Sequence, residues 1–384
     1  MEAYFDNAAT TKCSDAAKAL MARVLCEDYG NPSSLHRKGM EGEAHLREAA
    51  ARISKTLKSK PSEIVFTSGG TEANNLAIIG AALANRRSGM HLVTTQVEHP
   101  AVANPMKFLE EQGFSVTYLE VDRDGRISLE ELEESLTPET ILVSIMYVNN
   151  EIGAVEPIAE AGQIIKQRNP GVLFHVDAIQ AYGKYKIYPQ KLGIDFLSVS
   201  GHKIHGPKGI GFLYAREKTK LKPMLYGGGQ QKGLRSGTEN VPGIAALGQA
   251  AMEAYEDLAH KQEHLYQLKE ALVHGLAEEP WAHFNGRTGR DGAPHILSLS
   301  IDGVRSEVLL HALEDRQIYV SAGSACSSHK PAPSATLRAI QIPKEHLGST
   351  IRISFCAENT LEEVEYCLSA LKDIVPMLRK FTRH

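Results

Sequence analysis

The stretch Phe196-Leu-Ser-Val-Ser200-Gly-His202-Lys203-Ile-His205-Gly206-Pro207 decides the fold, because it joins an apolar β-branched strand to a lysine at a polar corner. Glycines and a proline between residues 206 and 211 predict a tight loop rather than a helix after the lysine. A lysine placed in this way can serve as a nucleophilic amine and form an imine with an aldehyde cofactor. A solvated lysine that follows a strand is the alternative, and this stretch alone does not decide between the two.

The length and composition predict an enzyme of two domains. The chain has 384 residues, of which 42% are hydrophobic, and a single core seldom serves more than roughly 250–300 residues. The net charge of -4 provides no basic surface for nucleic acid, and no apolar run approaches the roughly 18 residues of a membrane span. The first residues lack the features of a signal peptide, and five scattered cysteines without a C-x-x-C pair indicate reduced thiols. We therefore expect a cytoplasmic protein with no metal site and no direct contact to nucleic acid or membrane.

Short β-rich segments alternate with helical segments through the first two thirds of the chain, which is typical of a mostly parallel α/β sheet. The predicted strands are 64–67, 91–95, 115–119, 141–146, 172–176, 196–199 and 211–214, and the helices predicted between them are 73–86, 101–112, 129–136 and 158–168. Residues 242–276 predict a long helix or a helix pair. The later strands at 295–301, 317–321 and 350–355 and helices at 306–314 and 361–377 predict a smaller α+β unit. We expect a large α/β domain at 16–250 and a small α+β domain made of 1–15 and 251–384.

Residues at the ends of strands carry most of the candidate chemistry, because ligands bind at the carboxyl ends of the strands in an open α/β sheet. After the strand at 64–67, Gly69 and Gly70 lead into a helix that opens with Thr71. This pattern predicts a cup of free N–H groups that can bind an anion or phosphate. An ordinary capped helix would have a similar sequence. Asp177 ends another strand 26 residues before Lys203, which fits one crossover between neighbouring strands.

These three features match the requirements of a pyridoxal phosphate (PLP) site. Such a site needs a lysine for the imine, a carboxylate that keeps the pyridine nitrogen protonated, and a cup for the phosphate. Lys203, Asp177 and the Gly70-Thr71 segment supply one of each. A helix-capping aspartate and a solvated lysine remain the alternative interpretation.

Further polar residues are candidates for the same site, each with a structural alternative. His99 could stack on the cofactor ring or cap a helix, and Asn149 and Gln180 could donate hydrogen bonds to the ring oxygen or stabilise turns. Arg352, inside an apolar strand, could clamp a substrate carboxylate or form an internal salt bridge. Cys326 lies in a loop of Gly, Ser and Pro residues where no core can form, which suits a mobile, exposed nucleophile.

The motifs closely resemble those of the NifS/IscS-type cysteine desulfurases over nearly the whole chain. They are Tyr4-Phe-Asp6-Asn7-Ala-Ala-Thr-Thr11, Gly30-Asn31-Pro32-Ser33-Ser34, Phe66-Thr-Ser-Gly-Gly-Thr71-Glu72, Glu98-His99, Asn149-Asn150-Glu151-Ile-Gly153, His175-Val-Asp177-Ala-Ile-Gln180, Ser200-Gly-His202-Lys203, Arg235-Ser-Gly-Thr238-Glu-Asn240 and Ser324-Ala-Cys326. The resemblance implies a fold-type I, class V aminotransferase-like PLP enzyme that forms a homodimer. The cysteine loop resembles the longer loop of the group I branch.

The resemblance also implies a role for each candidate residue. Lys203 would carry the imine to PLP, Asp177 would pair with the pyridine nitrogen, and Gln180 would contact the ring oxygen. His99 would stack on the ring and take part in catalysis. The phosphate would be bound by Thr71, Ser200 and His202 beside Gly70, and Thr238 would reach the cofactor phosphate of the other subunit. Asn149 and Arg352 would hold the substrate carboxylate, and Cys326 would accept the sulfur.

The activity that this resemblance implies is the conversion of L-cysteine to L-alanine with formation of a persulfide on Cys326. The sulfur would pass to an acceptor protein, either an iron–sulfur scaffold or a tRNA thiolation enzyme. A selenocysteine lyase or a small aminotransferase on the same scaffold would need the lysine but not Cys326. A non-catalytic PLP-binding assembly module is the third alternative.

Overall fold

Two β-sheets organise the chain. The structure is a computed structural model that describes residues 1–322 and 334–380. The strands in these residues are β1 (Ala3–Tyr4), β2 (Ile64–Thr67), β3 (His91–Thr95), β4 (Ser115–Leu119), β5 (Thr140–Met146), β6 (Leu173–Asp177), β7 (Phe196–Ser200), β8 (Gly211–Ala215), β9 (Ala282–Asn285), β10 (Ile296–Ile301), β11 (Ile318–Tyr319), β12 (Ser321–Ala322) and β13 (Thr350–Ser354). The α-helices are α1 (Asp15–Cys26), α2 (Arg37–Leu57), α3 (Gly70–Asn85), α4 (Pro100–Glu111), α5 (Leu129–Ser135), α6 (Ile158–Arg168), α7 (Val241–Tyr255), α8 (Leu258–Leu276), α9 (Ser306–Glu314), α10 (Ala335–Ala339) and α11 (Leu361–Arg379).

The large sheet has seven strands in the order β2-β8-β7-β6-β5-β3-β4. All pairs from β4 across to β7 are parallel, whereas β8 is antiparallel to both of its neighbours. Strand β2 therefore runs in the same direction as β7. The carboxyl ends of β2, β3, β5, β6 and β7 consequently share one edge of the sheet, where ligands bind in folds of this class.

Helices cover both faces of the large sheet, which explains the near-continuous apolar strands. Every residue of β5 and β6 is buried. Side chains alternate between faces along a strand, and the adjacent residues Phe212 and Leu213 accordingly belong to two separate apolar clusters. Helices α1 and α2 pack against α7. Burial on both faces makes this sheet a rigid platform for the residues that follow its strands.

The small sheet is antiparallel, with the order β12-β13-β10-β9, and the short strands β1 and β11 form a separate parallel pair. The single strand predicted at 317–321 is therefore wrong, because β11 and β12 belong to different sheets. The predicted helix at 242–276 is a pair, broken at Asp257, which has φ 47°. The prediction contained no element at α1, α2, β9 or α10.

The N-terminal segment contacts both sheets. Ala3 donates its N–H to the carbonyl of Gln317 beside the small sheet, and Thr11 donates to the carbonyl of His202 after β7. The division into domains at residues 16 and 250 stays a prediction. Within residues 1–322 and 334–380, no helix combines the length and the apolar composition that a bilayer crossing requires.

Candidate active site

A cavity of about 430 Å³ lies at the carboxyl edge of the large sheet. Nine of the residues predicted from the sequence line it, namely Gly70, Thr71, His99, Asp177, Gln180, Ser200, His202, Lys203 and Arg352. The tertiary structure thus brings together residues from five separate segments of the chain. The walls also include residues that the sequence reasoning did not select, namely Asp6, Ala8, Ala9, Ala101, Met146, Val148, Asn150, Ile179 and Ser321.

Lys203 ends a single turn of 3₁₀ helix, Gly201–Lys203, directly after β7. The segment from residue 206 to 210 contains no helix, which agrees with the loop predicted after the lysine. The N–H of Gly206 closes the corner by donating to the carbonyl of Gly201 at 2.9 Å. The Nζ of Lys203 donates hydrogen bonds to the carbonyls of Ala8 and Ala9. The amine is therefore positioned in the cavity by contacts to the N-terminal segment.

A second partly buried lysine, Lys184, contacts the backbone of this corner. The Nζ of Lys184 donates to the backbone carbonyl of Lys203 at 2.7 Å. Burial lowers the pKa of Lys184 to about 8. Because this contact reaches the backbone of Lys203, it holds the corner in place without occupying the amine itself.

Asp177 is the last residue of β6 and is 4% exposed. Its Oδ2 accepts a hydrogen bond from the Asn74 amide at 2.8 Å, and its Oδ1 accepts one from the N–H of Ile179 at 2.9 Å. Burial raises the pKa of Asp177, while the Ile179 hydrogen bond and the charges of His99 and Lys203 oppose that shift. In the described part of the chain, both hydrogen-bond donors to this carboxylate are neutral. A buried carboxylate in this setting fits the N–H of a protonated pyridine ring.

His99 precedes α4 and lines the cavity with its ring. Its Nδ1 accepts a hydrogen bond from the N–H of Ala101 at 3.0 Å, so the proton of the neutral ring lies on Nε2. Burial lowers the pKa of His99, which favours this neutral form. His99 therefore caps the helix and also lines the cavity, whereas its stacking on the cofactor ring stays a prediction.

The N-terminus of α3 forms the cup that the two glycines predicted. Gly69 has φ 153°, and no side chain caps the helix. A Cβ on Gly70 would overlap Cδ1 of Ile179, so the end of that side chain would have to move to admit a larger residue. Thr71, Ser200 and His202 line the cavity beside these free N–H groups. Burial and neighbouring lysines lower the pKa of His202 to about 4, which leaves a neutral ring. The arrangement fits a phosphate group.

Arg352 lies in the middle of β13 and is paired, as expected for a guanidinium in an apolar strand. Its Nη2 donates to Asp6 Oδ1 at 2.8 Å, and its Nη1 donates to the carbonyl of Asn150 at 2.9 Å. The internal salt bridge predicted as an alternative is present, and the side chain lines the cavity as well. Its Nε is buried and has no hydrogen-bond partner among the described residues.

Asn149 does not line the cavity. Its side-chain carbonyl accepts hydrogen bonds from the N–H groups of Glu151 and Ile152, and its amide donates to the carbonyl of Val97 at 3.0 Å. Its neighbour Asn150 lines the cavity instead. Asn149 therefore stabilises the backbone turn in this structure, and its contact with a substrate carboxylate stays a prediction.

Three further residues are Thr238, Cys326 and Cys356. Thr238 is exposed and does not line the cavity of its own chain. Cys326 lies outside the described residues. Cys356, which the sequence placed on a strand, follows the end of β13 and is partly buried.

Two buried polar residues next to the cavity were missed. Asn74 holds Asp177, and the signal was a polar residue in an otherwise apolar stretch of α3. Glu98 accepts hydrogen bonds from the Thr95 hydroxyl at 3.0 Å and the Met146 N–H at 2.8 Å. Burial raises the pKa of Glu98 well above its ordinary value, with a further contribution from Asp177. The raised pKa of Glu98 favours its neutral form, and this form adds no negative charge beside Asp177.

Comparison with known proteins decides the family. The model of the family described as aminotransferase class-V matches residues 3–367. The chain belongs to the class-V aminotransferases. A NifS/IcsS protein homolog of Lactobacillus delbrueckii subsp. bulgaricus is 44% identical over 97% of this chain and 96% of the relative. A cysteine desulfurase of Nostoc is 44% identical over 98% of this chain and 93% of the relative.

Solved structures of similar proteins confirm the fold class. A NifS-like protein superposes with a TM-score of 0.92 at 39% identity, over 98% of this chain and 100% of the other. SspA in complex with cysteine superposes with a TM-score of 0.81 at 34% identity, over 94% and 100% of the two chains. The predicted resemblance to the NifS/IscS-type proteins is confirmed as well.

Proposed function

We propose that this class-V aminotransferase is a PLP-dependent cysteine desulfurase that converts L-cysteine to L-alanine. The observation that carries this proposal is the buried carboxylate of Asp177, held by neutral donors in the same cavity as Lys203. The relatives named cysteine desulfurase support the activity and its cofactor, and both agree with the prediction from the sequence.

Each part of the cofactor has residues that would hold it. Asp177 would bind the pyridine N–H, and the amine of Lys203 would hold the aldehyde carbon. The α3 N-terminus at Gly70 and Thr71, together with Ser200 and His202, would bind the phosphate, and Gln180 would contact the ring oxygen. When bound, PLP supplies an electron sink that makes the Cα proton of an amino acid acidic.

The residues of the cavity would then move protons and orient the substrate. The Nζ of Lys203 would take the proton from the substrate Cα, and the carbonyls of Ala8 and Ala9 would stabilise the resulting ammonium. Arg352 would attract the substrate carboxylate, since Asp6 and Asn150 already hold its side chain in the cavity wall. The neutral ring of His99 fits stacking on the cofactor.

Cys326 would accept the sulfur. Its thiolate would form an S–S bond to the substrate sulfur as the substrate Cβ–S bond breaks, and the bonding electron pair would stay with the carbon skeleton. Protonation of Cβ, together with return of the Cα proton from Lys203, would complete L-alanine. The persulfide would pass to an acceptor protein, an iron–sulfur scaffold or a tRNA thiolation enzyme. The homodimer, the contact of Thr238 with the partner's cofactor and a cytoplasmic location rest on the sequence prediction.

The test combines absorption spectroscopy with product analysis. The wild-type protein should show an imine band that borohydride abolishes and should form alanine from cysteine. Lys203→Ala should lose both, whereas Lys208→Ala, which changes an exposed lysine of the same loop, should keep both. A wild-type protein without the band, or turnover that survives Lys203→Ala, would contradict the proposal.

Cys326→Ser tests the sulfur acceptor separately. This variant should keep the imine band but lose persulfide formation. Release of sulfide at the wild-type rate without added thiol would instead favour a selenocysteine lyase or small aminotransferase.

A further inference from the structure

Two histidines and one aspartate form a cluster at the edge of the small sheet, outside the catalytic cavity. His283 lies on the edge strand β9, and Asp302 directly follows β10. His346 lies in a turn of 3₁₀ helix, Lys344–Gly348, that precedes β13. The sequence predicted no metal site, because these residues are separated by 19 and 44 positions and form no local motif.

The side chains of the cluster converge on one point. The Nε2 of His283 lies 2.9 Å from Asp302 Oδ2, and the Nε2 of His346 lies 2.8 Å from Asp302 Oδ1. The two imidazole rings stack with a centroid distance of 4.8 Å and an interplanar angle of 26°. One ligand atom from each of the three residues lies within 4.8 Å of the others. Two imidazole nitrogens and a carboxylate are therefore close enough to share one small ion.

Strand pairing holds the three residues in place. The N–H of Asp302 donates to the carbonyl of Trp281 at 3.0 Å, and His283 pairs with Ser300 in the sheet. The Thr350 hydroxyl donates to the carbonyl of His346 at 2.7 Å. Because each backbone is tied to the sheet, little reorganisation is needed before the side chains bind an ion.

We propose that His283, Asp302 and His346 bind a divalent transition-metal cation of the zinc class. Two imidazoles and one carboxylate form the ligand set that such cations accept with open positions, whereas Mg²⁺ and Ca²⁺ prefer oxygen ligands alone. Binding transfers the Nε2 lone pairs to the metal. The ring protons then sit on Nδ1, and any excess proton leaves to solvent.

The surroundings indicate an exchangeable ion rather than a permanently bound one. The side chains of His283 and Asp302 are 43% and 37% exposed, which leaves an entry path, while that of His346 is 11% exposed. Among the described residues, neither Nδ1 has a hydrogen-bond acceptor. Fixed acceptors of this kind raise metal affinity about 10–100-fold, so we expect affinity below that of a fully supported site.

Cobalt titration tests the site in the holoenzyme. After treatment with a chelator, the wild-type protein should bind one saturating equivalent of Co²⁺ per chain, seen as visible d–d absorption, and Zn²⁺ should displace it. His283→Ala and Asp302→Asn should each weaken binding by at least about tenfold. His311→Ala removes an exposed histidine that also pairs with a carboxylate, at 3.2 Å from Glu314, and should bind Co²⁺ like the wild type.

Two further measurements separate this site from the catalytic one. Cys326→Ser should retain the Co²⁺ signal, which excludes the thiol as the ligand. His283→Ala should turn over cysteine at the wild-type rate, which shows that the variant is folded. Absence of saturable Co²⁺ binding to the wild type, or unchanged binding in both His283→Ala and Asp302→Asn, would overturn the metal site and leave the proposed desulfurase function untouched.

Discussion

Asp177 and Asp195 are both buried aspartates of the large sheet, and they lie at opposite ends of two neighbouring parallel strands. Asp177 ends β6, whereas Asp195 immediately precedes β7. Asp195 lies 2.6 Å from Lys166 Nζ and 2.6 Å from Arg216 Nη2. Asp177 accepts hydrogen bonds only from neutral donors in the described part of the chain. A buried charge that the fold has already paired is structural, while one left with neutral donors at the carboxyl edge is suited to an incoming cation.

Replacement of Asp177 should have the largest effect on catalysis. Asp177→Asn keeps the shape but removes the charge that would hold a protonated pyridine, so kcat/KM for cysteine should fall about 10²–10³-fold. Steady-state alanine formation measures this. Asp195→Asn, compared per mole of folded holoenzyme, should retain wild-type kcat/KM. Equal losses in the two variants would show that the two carboxylates do not differ in role.

Replacement of Asp195 should have the larger effect on stability. Asp195→Asn leaves Lys166 and Arg216 without their buried partner. The free energy of unfolding should therefore fall by about 3 kcal/mol. This value is at the lower end of the cost of breaking a buried ion pair, because Arg216 is partly exposed. Urea unfolding of the cofactor-free protein measures it. Asp177→Asn should be at least as stable as the wild type under the same conditions, and a loss as large as that of Asp195→Asn would contradict the comparison.

The pH dependence of stability gives the smallest and most specific effect. Because burial raises the pKa of Asp177, the folded protein keeps this proton to higher pH than the unfolded chain does. The contribution of this proton to stability is complete at pH values below the pKa of Asp177 in the unfolded chain. It is lost as the pH rises toward the pKa of Asp177 in the folded protein, by at most about 1.4 kcal/mol for each pH unit. Asp177→Asn lacks this loss. The unfolding free energy of the cofactor-free variant minus that of the wild type should therefore grow with pH from mildly acidic to neutral conditions.

Other buried groups that titrate near Asp177 also affect the pH dependence of the unfolding free energy. Burial lowers the pKa of His175 to about 3, so this residue also makes stability depend on pH. His175 is present in both proteins and cancels in the difference, whereas the contributions of His99 and Glu98 do not cancel fully, because Asp177 contributes to the pKa of each. A difference that stays constant across the pH range would show that Asp177 does not titrate as its burial implies.

The large sheet was predicted almost to the residue because its strands are buried on both faces and form continuous apolar runs. Strand β9 has no such run, since it is an edge strand with a partly exposed face. Strands β11 and β12 occupy one predicted run but pair in different sheets, which a local pattern cannot show. Local prediction succeeded where burial imposes a pattern and failed where pairing partners decide the structure.

The candidate site also combines features that the local sequence predicts with contacts that it does not predict. Lys203, Asp177 and the Gly70-Thr71 cup carry local signals, because each follows a strand with a residue that needs a chemical partner. The contacts that define their environment come from distant segments, as with Asn74 on Asp177 and Asp6 on Arg352. No spacing along the chain predicts those contacts.

The sequence by itself determined the strands of the large sheet, the family and the residue types proposed to hold the cofactor, because apolar periodicity and strand-end motifs are local. Only the tertiary structure decided which buried aspartate was already paired, that Asn149 turns away from the cavity, and that His283, Asp302 and His346 meet at the edge of the small sheet. Burial sets the free-energy cost of an unpaired charge, and the distance between side chains decides whether they can bind one ligand together. Both are properties of the folded chain.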